Sequence, residues 1–340
     1  MARYRSFKEP MGIDFELPEL RFSEIPFGIS YGLIDIFEDR FGQRIGVPTL
    51  VAKGTNVEHN PVLGLTAAIH GNELNGIQVI HKLFEEITNY ILSGIVVAIP
   101  IVNVPGYLGY NRTFIDGVDL NRIMPGCEDG RPSEEYAFHF MRRIVEKFDY
   151  LLDFHTASFG RTNSHYIRGD LSLDSTANLL KLQHADIVLH TKGPEGSLRN
   201  AAVALGIPAI TIELGNPQRF QKKFHTRALT SVLNTMSYLG MIEEEIIPPN
   251  PPPIVCERSY WVRCHDGGIL TVHPGLGRKV YTGERIATLK DIYGRKDIVY
   301  KAPEDGIVIG KNVNPVVSTG GRIIHLGILS TQKNWKTFAK

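Results

Sequence analysis

The chain has 340 residues, 43% of them hydrophobic and 21% charged, and its 37 Lys and Arg nearly balance its 36 Asp and Glu, for a formal net charge of +1. That is enough apolar chain for one sizeable core and a smaller second one, and too even a charge to draw nucleic acid or an anionic membrane by its overall field. The most apolar stretch, 91–102, is far short of a membrane span, and residues 1–12 carry Arg3, Arg5, Lys8 and Glu9 where a secretory signal needs an apolar run. A cytoplasmic protein with no membrane or nucleic-acid partner is therefore expected. Cys127, Cys256 and Cys264 form no C-x-x-C pair, which argues against a disulfide framework or a thiolate zinc site and leaves any metal to His, Asp or Glu.

In chain order, 1–44 reads as an N-terminal extension whose run 29–37 predicts a strand flanking the main sheet. Short β-branched runs then alternate with helix-length amphipathic stretches: 61–69 before 74–90, 94–102, 133–147 before 150–154, then 173–184, 187–189, 197–205 and 209–213. A closing helix is expected over 226–239, stopped by Gly240. The alternation predicts an α/β domain over 1–246, with a mixed, largely parallel sheet covered by helices on both faces. Five prolines within 248–253 make 247–254 an extended linker. Beyond it, glycine-punctuated segments at 260–264, 285–289, 298–301, 306–310 and 322–327 predict a small all-β barrel or sandwich over 255–340. The stretch 302–327 resembles half of a biotinyl/lipoyl-type barrel, but it lacks the Met-Lys-Met hairpin that would carry a swinging cofactor.

Three predicted strands end in polar residues that are costly to bury without a purpose. The first runs into His70-Gly71-Asn72-Glu73, whose histidine and carboxylate can converge on one point and suit Zn²⁺, or can equally be a helix start with Asn72 or Glu73 as its cap. The second delivers His155, with Asp153 on the same strand face where it could orient the imidazole; a core histidine is the plain alternative. The third leaves Glu213 with no basic residue within five positions, either an exposed edge carboxylate or the general base that metal-assisted hydrolysis needs. In open α/β sheets ligands sit at the carboxyl ends of strands, where all three would lie. A fourth segment, 111–122, holds Arg112, Asp119, Asn121 and Arg122 in a loop with little apolar support. It reads as oxyanion or carboxylate recognition, or as a solvated loop bridged by Asp119 and Arg122.

Together, His-Gly-Asn-Glu at 70–73, Asp-Leu-Asn-Arg at 119–122, Asp-Phe-His-Thr at 153–156 and Ile-Glu-Leu-Gly at 212–215 resemble, in order and spacing, the zinc carboxypeptidase-like superfamily. Within it they are most similar to the succinylglutamate desuccinylase/aspartoacylase branch. The resemblance covers roughly 45–245 by motif and the rest by arrangement. It implies that His70, Glu73 and His155 bind one Zn²⁺ per chain, that Glu213 activates water, and that Arg112 polarises the scissile carbonyl. Asn121 and Arg122 would hold a substrate carboxylate, with Arg199 as a further substrate contact, and Tyr107, Tyr110, Tyr166 and Tyr281 are all available for the family's tyrosine. The implied function is a zinc-dependent amidohydrolase that deacylates an N-acyl amino acid or related small carboxylate; a zinc carboxypeptidase and a non-catalytic binding protein are the alternatives. The second domain would cover the entrance and restrict it to small substrates, and a homo-oligomer is open. His165, His184, His190 and His265 are expected to be structural or exposed.

Overall fold

The structure, a computed structural model, describes residues 13–57 and 60–331. The chain opens with β1 (Phe15–Leu17), β2 (Gly28–Glu38) and β3 (Arg44–Lys53), followed by β4 (Val62–Ala67), α1 (Asn75–Glu86), β5 (Ile95–Ile99), α2 (Val104–Leu108) and α3 (Pro132–Arg143). Then come β6 (Tyr150–His155), β7 (Arg161–Asn163), β8 (His165–Gly169), α4 (Asp174–Lys181), β9 (Ile187–His190), α5 (Leu198–Ala204), β10 (Ala209–Leu214) and α6 (Lys222–Tyr238). After the proline segment come β11 (Ile254–Arg263), β12 (Gly268–Val272), β13 (Lys279–Val280), β14 (Arg285–Lys290), β15 (Asp297–Lys301), β16 (Gly306–Asn312), β17 (Val316–Val317) and β18 (Arg322–Leu329).

A 14-stranded sheet runs in the order β1-β2-β3-β5-β4-β6-β10-β8-β9-β11-β18-β16-β13, with β7 paired to β16. Its centre, β5-β4-β6-β10, is parallel, and both faces of these strands are covered. β5 reads Ile-Val-Val-Ala-Ile and is buried throughout. Alternation divides it between two cores: Val96 and Ala98 pack on the side of Leu83, Leu179 and Val232 from α1, α4 and α6. Ile95, Val97 and Ile99 pack on the side of Tyr136, Phe140, Leu198 and Ala202 from α3 and α5. Burying each large aliphatic side chain contributes about 1.5–3 kcal/mol. These two layers therefore hold the strand ends rigidly.

The mixed, largely parallel α/β expectation is met at this centre, with local differences. The helix predicted over 74–90 is α-helical only to Glu86 and finishes in a 3₁₀ turn, Ile87–Asn89. α6 starts four residues earlier than the predicted 226, and Gly240 follows it at φ +70°. The strand expected to run to Ile69 ends at Ala67, because Ala68 turns to φ +51°. That turn is held by hydrogen bonds from Val102 N to Ala67 O (2.9 Å) and from Asn103 N to Ala68 O (3.1 Å).

The residues after the prolines divide between two sheets. β15-β14-β12-β17 form a separate antiparallel sheet, while β11, β18, β16 and β13 continue the main one. The joint is the parallel pairing of β11 with β9, Ile254 opposite Ile187 and Cys256 opposite Leu189. The proline segment is tied down where it begins, since Ile247 exchanges hydrogen bonds with the Asn234 side chain of α6 (2.7 and 3.0 Å). Among the described residues no helix is long and apolar enough to cross a membrane.

Candidate active site at the carboxyl edge of the sheet

Register brings the chemistry together. Parallel pairing of β4, β6 and β10 sets Thr66 beside Asp153 and His155 beside Glu213, so three strand ends open into one cavity of about 710 Å³, a size that suits a small organic ligand. His70 reaches it from the turn after β4, where Gly71 permits a close approach to α2. A Cβ on Gly71 would stand 2.0 Å from the Gly106 carbonyl carbon and 2.2 Å from Tyr107 N, both backbone atoms.

His70, Glu73 and His155 are all buried, and their ligand atoms lie within 4.8 Å of one another. Each imidazole is oriented through its Nε2. His70 Nε2 stands 3.1 Å from Asp119 Oδ1, and His155 Nε2 stands 2.8 Å from Asp153 Oδ2. Asp153 is itself fixed by Thr66 Oγ1, which donates to its Oδ1 at 2.8 Å. With Nε2–H donated to a carboxylate, each Nδ1 presents its lone pair. Both lone pairs aim at Glu73, 3.0 Å from Oε1 for His70 and 3.0 Å from Oε2 for His155. His70 Nδ1 has no hydrogen-bond partner there.

Acceptors facing acceptors need positive charge between them. Burial pushes the His155 pKa down, but the Asp153 and Glu73 carboxylates outweigh it and lift it to about 10. Burial raises that of Glu73, and the charges and hydrogen bonds of His70 and His155 hold it well below the carboxylate range. Asp119 is likewise raised by burial and held far lower by its bond to His70 and by the charges of His70, Arg112 and Arg122. Two imidazoles and a carboxylate with outer carboxylates behind them form the donor set of a three-ligand Zn²⁺ site. The residues present fit such an ion.

The other anticipated residues line the same cavity. Arg112 donates to both Glu73 (2.9 Å) and, through Nε and Nη2, to Asp119 Oδ2 (3.1 and 2.9 Å), and its Nη1 also donates to Ser158 Oγ (2.6 Å). Asp119 thus pairs with Arg112 and His70, and not with Arg122. Asn121 Oδ1 accepts from Leu198 N at the start of α5 (2.8 Å), and Arg122 donates to Asn121 O (2.6 Å). Arg199 is 4% exposed and donates to Thr191 O (2.8 Å); burial, reinforced by Arg168, lowers its pKa to about 10. Of the four available tyrosines, Tyr166 lines the cavity, whereas Tyr110 and Tyr281 are 68% and 60% exposed.

Glu213 is not isolated, as its sequence neighbours suggest. β8 runs antiparallel beside β10, with Arg168 opposite Thr211 and Tyr166 opposite Glu213. The Arg168 guanidinium pairs with Glu213 Oε1, and Asn163 Nδ2 donates to Oε2 at 3.0 Å. Arg168 and Asn163 were not anticipated. The five-residue β8, His-Tyr-Ile-Arg-Gly, has no periodicity to mark it, though its place between two motif strands was a usable signal. Ser259, Tyr260, Trp261, Arg322 and His325, from β11 and β18, close the cavity from the other side.

A mixed α/β sheet with a metal-competent His-Glu-His cluster at its carboxyl edge defines the class of protein. The chain belongs to the succinylglutamate desuccinylase/aspartoacylase family, whose catalytic-domain profile matches residues 59–239. The activities in the family's name are amide hydrolyses that deacylate amino acids, so the protein stands among hydrolases of that kind. It is 26% identical over 315 residues to an N-alpha-acetyl-L-2,4-diaminobutyric acid deacetylase of Halomonas elongata, covering 87% of this chain and 90% of that one. Two solved structures share its fold at 20% identity. One is a succinylglutamate desuccinylase/aspartoacylase from Rhodobacter sphaeroides, with a TM-score of 0.81 over 92% of this chain and 98% of that one. The other is the product-bound ectoine utilization protein EutE (DoeB) from Ruegeria pomeroyi, with a TM-score of 0.80 over 89% and 96%.

Proposed function

We propose that the protein is a zinc-dependent deacylase that hydrolyses the amide bond of an N-acyl amino acid, in the manner of the Halomonas elongata deacetylase it resembles. The observation that carries this reading is the convergence of the His70 and His155 Nδ1 atoms on the Glu73 carboxylate, with a second carboxylate on the far nitrogen of each ring. His70, Glu73 and His155 would hold the ion. A zinc bound there supplies Lewis acidity, lowering the pKa of its water toward neutrality and polarising the scissile carbonyl.

The chain's own groups do the rest. Glu213 takes the proton from the attacking water and returns it to the departing amine nitrogen, as a positioned carboxylate does in general acid-base catalysis. Its ion pair with Arg168 and the hydrogen bond from Asn163 fix the direction in which its lone pairs point. Arg112 places a guanidinium beside the metal ligands, where it stabilises the negative charge that develops on the carbonyl oxygen. Arg122 and Arg199, with Asn121, hold the amino-acid carboxylate.

Metal content measured on protein purified without added zinc, together with amine release from a panel of N-acyl amino acids, tests the reading. About one zinc per chain is expected, lost in a His70→Ala/His155→Ala variant. Glu213→Gln is expected to keep the metal and lower kcat by about 10²–10⁴. A protein that takes up no zinc on titration, or a Glu213→Gln variant with unchanged turnover, overturns it.

A further inference from the structure

The hydrogen bond that Asn163 Nδ2 donates to Glu213 Oε2 comes from β7, a three-residue strand whose only strand pairing among the described residues is with β16, beyond the proline segment. In that pairing Asn163 stands opposite Gly310. The same strand fixes the corner that follows. Ile309 is the extra residue where β16 slips register against β18, and its carbonyl accepts from both Ser164 N and Ser164 Oγ, each at 2.9 Å. Ahead of β7, Gly160 O accepts from Val313 N (2.8 Å) and Asn314 N (3.2 Å). A carboxylate only accepts, so the Asn163 carboxamide turns Nδ2 toward Glu213 and Oδ1 away from it. Oδ1 then lies over Gly310: a Cβ at 310 would stand 2.4 Å from Asn163 Oδ1, with the Thr162 carbonyl oxygen next at 3.2 Å. Gly310 has no positive φ, so backbone conformation does not call for glycine there. The space over it does.

We propose that Gly310 is a positioning residue for the general base: its missing side chain leaves the space that holds the Asn163 carboxamide against Glu213, so the pairing of β16 with β7 sets the direction of the proton-accepting carboxylate. The role of Glu213 as base rests on the deacylase reading; the contact between Gly310 and Asn163 does not. The last torsion of a glutamate side chain is broad, so its rotamer does not set the plane of the carboxylate, and its partners must. Arg168 of β8 holds Oε1 and Asn163 of β7 holds Oε2. With one donor lost, the carboxylate turns about the bond that remains. A methyl group at 310 meets a side-chain end rather than packed backbone, so the carboxamide gives way and the fold keeps most of its stability. What gives way is the group that carries the bond to Glu213.

The test is a double-mutant cycle between Gly310→Ala and Asn163→Ala in the zinc-loaded protein, read by amine release from the N-acetyl and N-succinyl derivatives of alanine, aspartate and glutamate. Gly310→Ala is expected to lower kcat about 10–100-fold, with KM within about twofold and zinc content unchanged. Asn163→Ala should cost about as much, and the double variant no more than Asn163→Ala alone, because the first substitution acts through the group the second removes. A second readout needs no turnover. In protein labelled with ¹⁵N at asparagine, the side-chain amide resonance that disappears in Asn163→Ala should move in Gly310→Ala. Wild-type kcat in Gly310→Ala, or losses that multiply in the double variant, overturns the proposal. If circular dichroism shows Gly310→Ala unfolded, a double variant that folds supports the contact, and one that does not overturns it, since Gly310 then serves the fold alone. Where the wild type releases no amine from any of these compounds, or Glu213→Gln turns over undiminished, the deacylase reading fails. The amide resonance then decides the contact by itself: moved in Gly310→Ala it stands, unmoved it falls.

Discussion

His165 opens β8 fully buried, its ring edge-on to Phe224 at 6.0 Å, and neither ring nitrogen has a hydrogen-bond partner. Burial, followed by the charges of Arg227 and His184, pushes its pKa down to about 3. In the unfolded chain the imidazole titrates near 6.5. Between those values the unfolded state holds a proton that the folded state rejects, so the stability is whole above about pH 6.5 and is lost as the pH falls toward 3. One such group gives about 1.4 kcal/mol per pH unit. The unfolding free energy from urea titrations should therefore drop between pH 7 and pH 5 by about 2 kcal/mol more in the wild type than in His165→Leu. Equal drops in the two proteins would mean that His165 does not carry this dependence. The expectation that His165 is structural agrees with its burial. What its sequence neighbours could not reveal is that β8 also turns Tyr166 and Arg168 toward the cavity.

At the scale of elements, the turn from β4 into α1 decides where the first histidine stands. Ala68 in the left-handed region, Gly71 against the backbone of α2, and Asn103 Nδ2 donating to Ile69 O (3.3 Å) fold seven residues back above the strand end. In Gly71→Ala a methyl group would meet the Gly106 and Tyr107 backbone at 2.0 and 2.2 Å, and backbone cannot swing aside as a side chain can. A loss of about 2–4 kcal/mol in urea unfolding is expected, together with weakened zinc uptake. A variant that unfolds like the wild type and holds zinc equally well would mean that α2 can retreat. The H-x-x-E spacing was legible because it is local, as were the central strands, whose apolar runs have to be buried on both faces. Pairings between distant segments were not legible. Nothing near Glu213 announces Arg168, and nothing near Asp119 announces that it turns to His70 and Arg112 instead of Arg122. Those partners follow from strand register, which the order of residues along the chain does not display.

At the scale of the molecule, the joint between β9 and β11 makes one sheet of two stretches of sequence. Tyr166, Ile187 and Leu189 from before the proline segment share a buried cluster with Cys256, Ile307 and Ile309 from beyond it. The separate antiparallel sheet is bound in turn, since Ile286 and Leu289 pack with Val308, Ile324 and Leu326 of the main sheet. The change of texture at the prolines was plain in the sequence, but the continuity of the sheet across it was not, because three residues of parallel pairing leave no local mark. Strands that share hydrogen bonds and a buried cluster open together. Trp261 and Arg322 line the cavity from β11 and β18, beyond that joint, so the cavity is complete only when both sides are folded. Native-state hydrogen exchange should then give the β9, β11 and β18 amides opening free energies within about 1 kcal/mol of those of β6 and β10. Ile309→Ala, which removes apolar contact from the shared cluster, should lower all five together by about 2–4 kcal/mol. If residues 254–331 open at a distinctly lower free energy, or if the substitution weakens only that stretch, the two sides fold as separate units, and the Trp261 side of the cavity would exchange independently of the metal-competent cluster.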